Sequence, residues 1–199
     1  DGDLMECISH EAASLAGHWR LGELIYLYDD NHISLAGSTD LTYTEDVTKR
    51  FEAYGWHVQL IEDGNDVAAI EQALRAAQAV TDRPSIIRVR TIIGFGSPHK
   101  QNTSEIHGSP LGPAEVAATK ENLGWPLEPA FYVPDEALKH FRAAVDQGRA
   151  AQAEWQAKWD AYAQAYPDLA LELQRMFSGE LPTDWNSAIP AFPAGKALA

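Results

Sequence analysis

The chain has 199 residues, 45% of them apolar, with a formal net charge of −14. That length supports one well-buried domain, or a domain with an appendage, and the acidic balance disfavours nucleic acid or an anionic membrane as partner. Cys7 is the single cysteine, which excludes a disulfide framework and a thiolate zinc site, and no apolar run is long enough to span a membrane. A reducing, cytoplasmic setting is the natural expectation. The chain opens inside what reads as a motif, so its amino terminus is expected to lie upstream.

In chain order, Leu4 to about Arg20 has helical spacing, with Met5, Ile8, Ala12, Leu15 and Trp19 on one face. Glu6, His10, Ala13 and Gly17 form a second face whose small residues allow close approach, and Asp3 is placed to cap the start. Residues 24–28 read as a strand buried on both faces, running out into Asp29-Asp30-Asn31. A loop over 33–37 follows. Thr44 is expected to cap a second helix carrying Val47, Phe51 and Tyr54, stopped by Gly55. A strand over 56–61, a turn, a helix opened by Asp66 and a strand over 85–91 complete an alternation that predicts α/β class and a parallel sheet with flanking helices.

Residues 92–111 are rich in Gly, Ser, Pro and His and lack periodicity, which marks a functional loop at the carboxyl edge of the sheet. Pro113 opens a helix to about Leu123. Three helical stretches are predicted beyond it, over 135–147, 150–165 and 168–178. Trp155, Trp159, Tyr162 and Tyr166 form one apolar stripe there, and Leu169, Leu173, Met176 and Phe177 another; burial against neighbouring protein is the expected use of both. The organisation reads as an incomplete domain over 1–130, a helical extension over 131–178 and an extended linker over 179–199.

The chemistry gathers at the start. Asp1 offers a carboxylate, Asn31 an amide oxygen and the turn beyond it a carbonyl. These are hard oxygen donors of the kind that hold magnesium. If a strand preceding Asp1 lies beside 24–28, both side chains stand at the carboxyl edge of one sheet, where open α/β folds bind phosphorylated ligands. Gly2 permits close backbone approach to a diphosphate. A helix cap plus an ordinary Asx turn meets the same spacing, and spacing alone does not separate the two.

Asp1-Gly2 followed by a helix, a strand and Asp30-Asn31 resembles the thiamine diphosphate signature, a GDG followed about thirty residues later by an Asn-containing pair. The flanking text DLMECISHEAASLAGHWRLGELI, YDDNHISLAG, RFEAYGWHV, TIIGFGSP and IHGSPLG resembles the transketolases. The resemblance continues through the last helices. It implies the later part of a diphosphate-binding domain and the linker after it. It further implies that Asp1, Asn31 and the Ile33 carbonyl coordinate Mg2+ (with Ca2+ or Mn2+ as substitutes), and that Gly2 contacts the diphosphate. Leu35 and Ile93 would line the thiazolium pocket. His107 would bond the diphosphate near the reacting carbon, and Glu6 would lie at a homodimer interface beside the partner's activating glutamate. The implied chemistry is two-carbon ketol transfer from a ketose phosphate to an aldose phosphate, as in the pentose phosphate pathway and the Calvin cycle.

The sequence departs from that pattern in places. The glycine before Asp1 is not present, and Cys7 stands where the family has glycine, where its side chain would crowd the diphosphate side. His10 is expected to pack or to contact Glu6; His99 and Lys100 match no motif position. The related dihydroxyacetone and deoxyxylulose phosphate synthases are alternative readings, as is a non-catalytic binding module. The chain by itself is expected to be inactive.

Overall fold

The computed structural model describes residues 1–191 and Gly195. The chain divides into two compact units, Asp1–Tyr132 and Val133–Ala199. The first is built on a parallel sheet of three strands, β1 (Ile25–Asp30), β4 (His57–Ile61) and β5 (Ser85–Arg90), in the order β1-β5-β4. The expected parallel pairing is present. β5 lies central, with Tyr28 opposite Arg88 and Asp30 opposite Arg90 on one side, and His57 opposite Ser85 on the other.

Helices cover both faces. Ala13 and Ala16 of α1 (Cys7–His18), with Val47 and Phe51 of α2 (Val47–Ala53), pack with Trp56, Tyr28 and Ile86 on one face. Ala73 and Ala77 of α3 (Val67–Ala79) pack with Ile61, Ile87 and Val89 on the other. Strand alternation explains the split, since Ile86 and Ile87 point to opposite sides. Burying such apolar side chains contributes roughly 1.5–3 kcal/mol for each large one. Trp56 is 4% exposed, stands edge-on to Phe51 with ring centroids 5.1 Å apart, and donates Nε1–H to the Ala13 carbonyl at 2.8 Å.

Several expectations are corrected. The first helix is interrupted: Gly2–Met5 is a short 3-10 helix, Glu6 is extended (φ −71°, ψ 139°), and α1 starts at Cys7. Asp3 contributes its backbone carbonyl, accepting from Ser9 Oγ, rather than a capping carboxylate. The larger apolar face of α1 is largely open, with Ile8 73% and Trp19 61% exposed. The small face packs, as its close-approach residues led one to expect: a Cβ on Gly17 would lie 1.9 Å from the Tyr54 carbonyl oxygen.

β1 pairs with β5 alone among the described strands, so Tyr26 and Leu27 are more than half exposed rather than doubly buried. The 33–38 stretch is a small antiparallel hairpin, β2 (Ile33–Ser34) with β3 (Gly37–Ser38). Asp46, not Thr44, caps α2, its carboxylate accepting from the Lys49 amide at 3.3 Å. Asp66 caps α3 as expected, accepting from Ala69 at 2.9 Å, and Gly55 follows α2 at φ 82°.

In the second unit the two stretches expected over 135–147 and 150–165 form one helix, α5 (Asp135–Ala165), of 31 residues. Gly148 is accommodated within it, since a single interior glycine weakens a helix by only about 1 kcal/mol. α6 (Pro167–Ser178) returns along it and ends at Gly179 in the left-handed conformation. The aromatic stripe stacks along α5, with Trp155 and Trp159 rings 6.0 Å apart and nearly parallel. Within this single chain Trp155 and Tyr166 are 54% and 55% exposed. Part of the 179–199 linker, residues 192–194 and 196–199, lies outside the described residues.

Candidate functional site

β1 delivers Asp29, Asp30 and Asn31 to the carboxyl edge of the sheet. Asp1 comes to the same edge from the other side of α1. One carboxylate oxygen of Asp1 accepts the His32 amide N–H at 2.8 Å and the other accepts the Tyr28 hydroxyl. The amino group of Asp1 reaches the Asp29 carbonyl at 3.5 Å. Asp1 and Asn31 are therefore brought to the same edge, with Asp1 held there by His32, Tyr28 and Asp29.

Asn31 forms an Asx turn: its Oδ1 accepts the Ile33 N–H at 2.8 Å and its Nδ2 donates to Asp29 Oδ2 at 3.2 Å. This turn drives His32 into the left-handed region, at φ 61°. Asn31 is 8% exposed and Asp30 2%. Asp30 does not face the ligand edge directly. It accepts from Arg88 Nε at 2.7 Å and lies 3.1 Å from Tyr28 Oη, whose single proton it shares with Asp1, and 3.3 Å from His32 Nε2. Burial first, and then the Asp30 charge, pushes the Tyr28 phenol well above its ordinary pKa, so it remains a donor.

A cavity of 930 Å³ opens against this edge. Asp1, Gly2, Asn31, Ile33, Leu35 and His107 all line it, and Glu6 does too. A Cβ built on Gly2 would meet no atom within 4 Å, so the backbone there faces open space. Ile93 is not among the lining residues; its carbonyl accepts from Asn102 N at 2.8 Å within the loop. Cys7 is exposed and is not among the residues lining the cavity. Among the described residues no group of three or more His, Cys, Asp and Glu is arranged to hold a metal. The expected set differs in kind, with one carboxylate, one amide oxygen and one carbonyl.

The segment bearing Asp1 and Gly2 is tied to the body through Arg50. Its Nη1 donates to the Leu4 carbonyl at 3.2 Å and lies 2.9 Å from His10 Nε2, while Nη2 donates to Tyr43 Oη at 2.9 Å. His10 thus meets Arg50 and Tyr54, not Glu6. Burial pushes the Tyr43 phenol up to about 12, against the opposing effect of Arg50.

The 92–111 loop leaves β5 at the same edge and contains a short 3-10 helix, Ser104–Ile106. It rests on α4 (Pro113–Asn122), the helix that Pro113 opens. Glu115 of α4 accepts from the Ser97 hydroxyl and from His99 N at 3.0 Å, and lies 3.0 Å from His99 Nδ1. These contacts hold its carboxyl down to about 2. Sequence reasoning missed Tyr28, Arg88 and Glu115. Strand alternation could have placed Tyr28 and Asp30 on one face, but no local signal marks Glu115.

Fold and edge together define an open parallel α/β domain whose polar groups converge beyond the strand ends. The family model for the transketolase thiamine diphosphate binding domain matches residues 1–182, and the chain belongs to that family. The chain is 52% identical over 193 residues to a chloroplastic transketolase of Craterostigma plantagineum, covering 96% of this chain and 37% of that protein. It is 51% identical over 200 residues to the transketolase of Nostoc sp., covering 100% of this chain and 30% of that one. A crystal structure of a Pichia stipitis transketolase complex with sedoheptulose-7-phosphate superposes with a TM-score of 0.80 at 42% identity, covering 99% of this chain and 29% of that one. Transketolase from Leishmania mexicana gives 0.81 at 37% identity, over 97% and 29%. The chain thus spans about a third of the length of the proteins it matches.

Proposed function

We propose that this chain is the diphosphate-binding part of a transketolase, which moves a two-carbon ketol unit from a ketose phosphate to an aldose phosphate. The observation that carries this reading is the convergence of Asp1, Gly2, Asn31, Ile33, Leu35 and His107 on one cavity at the carboxyl edge of the sheet. The residues fit the family's groups. Three oxygen donors of hard character suit Mg2+, which keeps few protein ligands and shares the rest with phosphate and water. The open space at Gly2 suits a diphosphate drawn close to the backbone. Thiamine diphosphate, when bound, supplies the electron sink that a carbon–carbon cleavage needs.

In this reading Asp1, Asn31 and the Ile33 carbonyl hold the metal. The Tyr28 hydroxyl and the His32 amide orient the Asp1 carboxylate, and Asp29 fixes which way the Asn31 amide points. Leu35 gives the ring an apolar wall, and Ile93 is assigned to the same pocket by the family pattern. His107 bonds the diphosphate and moves a proton near the reacting carbon. Glu6 faces a partner subunit in a homodimer. Sugar phosphates are the substrates, and the cytoplasm or a plastid is the setting; among the described residues no helix is long and apolar enough to cross a membrane.

The test is a chimera in which residues 1–182 replace the matching segment of the Geobacillus stearothermophilus transketolase, itself 49% identical to this chain. Ketol transfer dependent on thiamine diphosphate and Mg2+ is expected. His107→Ala in that chimera is expected to lower kcat/KM by about 100-fold, within the range for a proton-transfer group. Unchanged kinetics would remove the role given to His107. A folded chimera that binds no thiamine diphosphate would remove the reading itself.

A further inference from the structure

We infer that Glu115 is a positioning residue that acts through the 92–107 loop to set the wall of the cofactor cavity at His107. The inference rests on the thiamine diphosphate reading above and extends it to a residue that does not line the cavity.

The loop has little regular structure of its own, so its shape depends on a few anchors. Glu115 supplies the strongest. Its side chain is 11% exposed and its two oxygens face three donors: the fully buried Ser97 hydroxyl, the His99 amide and the His99 ring. Hydrogen bonds to an ionised acceptor are about twice as strong as neutral ones. Asn122, two turns further along the same face of α4, donates Nδ2–H to the Gly96 carbonyl at 2.9 Å. Leu123 closes the space beside Gly96, where a Cβ would lie 2.8 Å from its side chain. The helix thus grips residues 96–99 at both ends of the turn.

From that grip the order passes along the chain. Ser97 N donates to the Gly94 carbonyl at 3.0 Å, and Asn102 N to the Ile93 carbonyl at 2.8 Å. Gly94, at φ 66°, receives the Ile106 side chain so closely that a Cβ there would lie 2.0 Å from its Cδ1. His107 is the next residue, and it stands in the cavity wall. Releasing Glu115 loosens the turn, then the Gly94–Ile106 contact, then His107.

The experiment uses the chimera described above, with two measurements: backbone amide exchange over 94–107 without cofactor, and the Kd for thiamine diphosphate in excess Mg2+. Glu115→Ala is expected to speed exchange at His99 and Asn102 and to raise the Kd about tenfold, the lower end of what loss of an outer supporting group does. Glu115→Gln keeps an acceptor oxygen for Ser97 and the His99 amide, and is expected to return the Kd to within about threefold of the parent. If Glu115→Ala does not fold, Ser97→Ala probes the same link and is expected to shift both readouts in the same direction. Exchange and Kd both unchanged in Glu115→Ala and Ser97→Ala overturn the inference. A parent chimera that binds no thiamine diphosphate overturns the functional reading, and the exchange data still decide whether Glu115 orders the loop.

Discussion

Asp30 and Glu115 are carboxylates whose work is indirect. Asp30, at 2% exposure, is paired with Arg88 and bonded by Tyr28, so its charge is compensated inside the protein rather than offered to a ligand. The motif text picked out Asp1 and Asn31 but was silent on this division of labour: Tyr28 was within reach of strand alternation, but Arg88 lies on β5 and only pairing brings it to Asp30. Glu115 was invisible for the same reason: its donors come from a loop that has no periodicity to read.

Glu115 has a testable pH signature. Its carboxyl sits at about 2 against an ordinary 4.5, chiefly through the Ser97 hydroxyl and then His99. A carboxyl lowered on folding adds stability that is complete above 4.5 and lost as pH falls toward 2. The stability gap between the parent chimera and its Glu115→Ala variant, measured by urea unfolding, is therefore expected to be constant near neutrality and to close across that window. A gap that persists unchanged at the acid end contradicts the assignment.

At the scale of elements, periodicity located the helices and strands of the sheet domain, and parallel pairing followed from their alternation. The close approach expected at the small face of α1 is present. Met5, Ile8, Leu15 and Trp19 share another face, but contact is made by Ala13, Ala16 and Gly17, and at Gly17 the Tyr54 carbonyl comes too near for anything larger. Gly17→Ala is expected to destabilise by about 1–3 kcal/mol, the usual result of overfilling a packed contact. Urea denaturation of the chimera checks this, and a midpoint equal to the parent's would show that the α1–α2 contact gives way easily. The split of α1 at Glu6 and the fusion of two expected helices into α5 have a common cause. Backbone turns that no Pro or special Gly enforces are poorly written in local sequence, and Gly148 alone is too weak a breaker.

At the scale of the whole molecule, the chain covers 30% of the Nostoc and Geobacillus relatives. The cavity walls described above all come from the first unit of a chain that spans only part of its relatives' length. The 199-residue chain by itself, supplied with thiamine diphosphate and Mg2+, is accordingly expected to show no ketol transfer above the uncatalysed rate. Turnover of a ketose phosphate by the purified chain would overturn that. The second unit was legible as helical and apolar in stripes. The Trp155 to Tyr166 ladder is spaced as a core would be and is half open within this single chain.

The register of β1 against β5 has a consequence for how this chain can vary in length. Asp30 stands opposite Arg90, so the Asn31 turn and the Ile93 loop emerge from neighbouring strands at the same level. A single residue inserted within 25–31 or 85–91 would slip that pairing and turn Asp30 away from Arg88. The excursion between the two strands is itself tied down, since Leu35 of the hairpin turn lines the cavity and Gly64 N donates to the Arg90 carbonyl at 2.8 Å. Relatives of this chain should therefore keep a fixed count of residues from Ile25 to Ile33 and from Ser85 to Ile93.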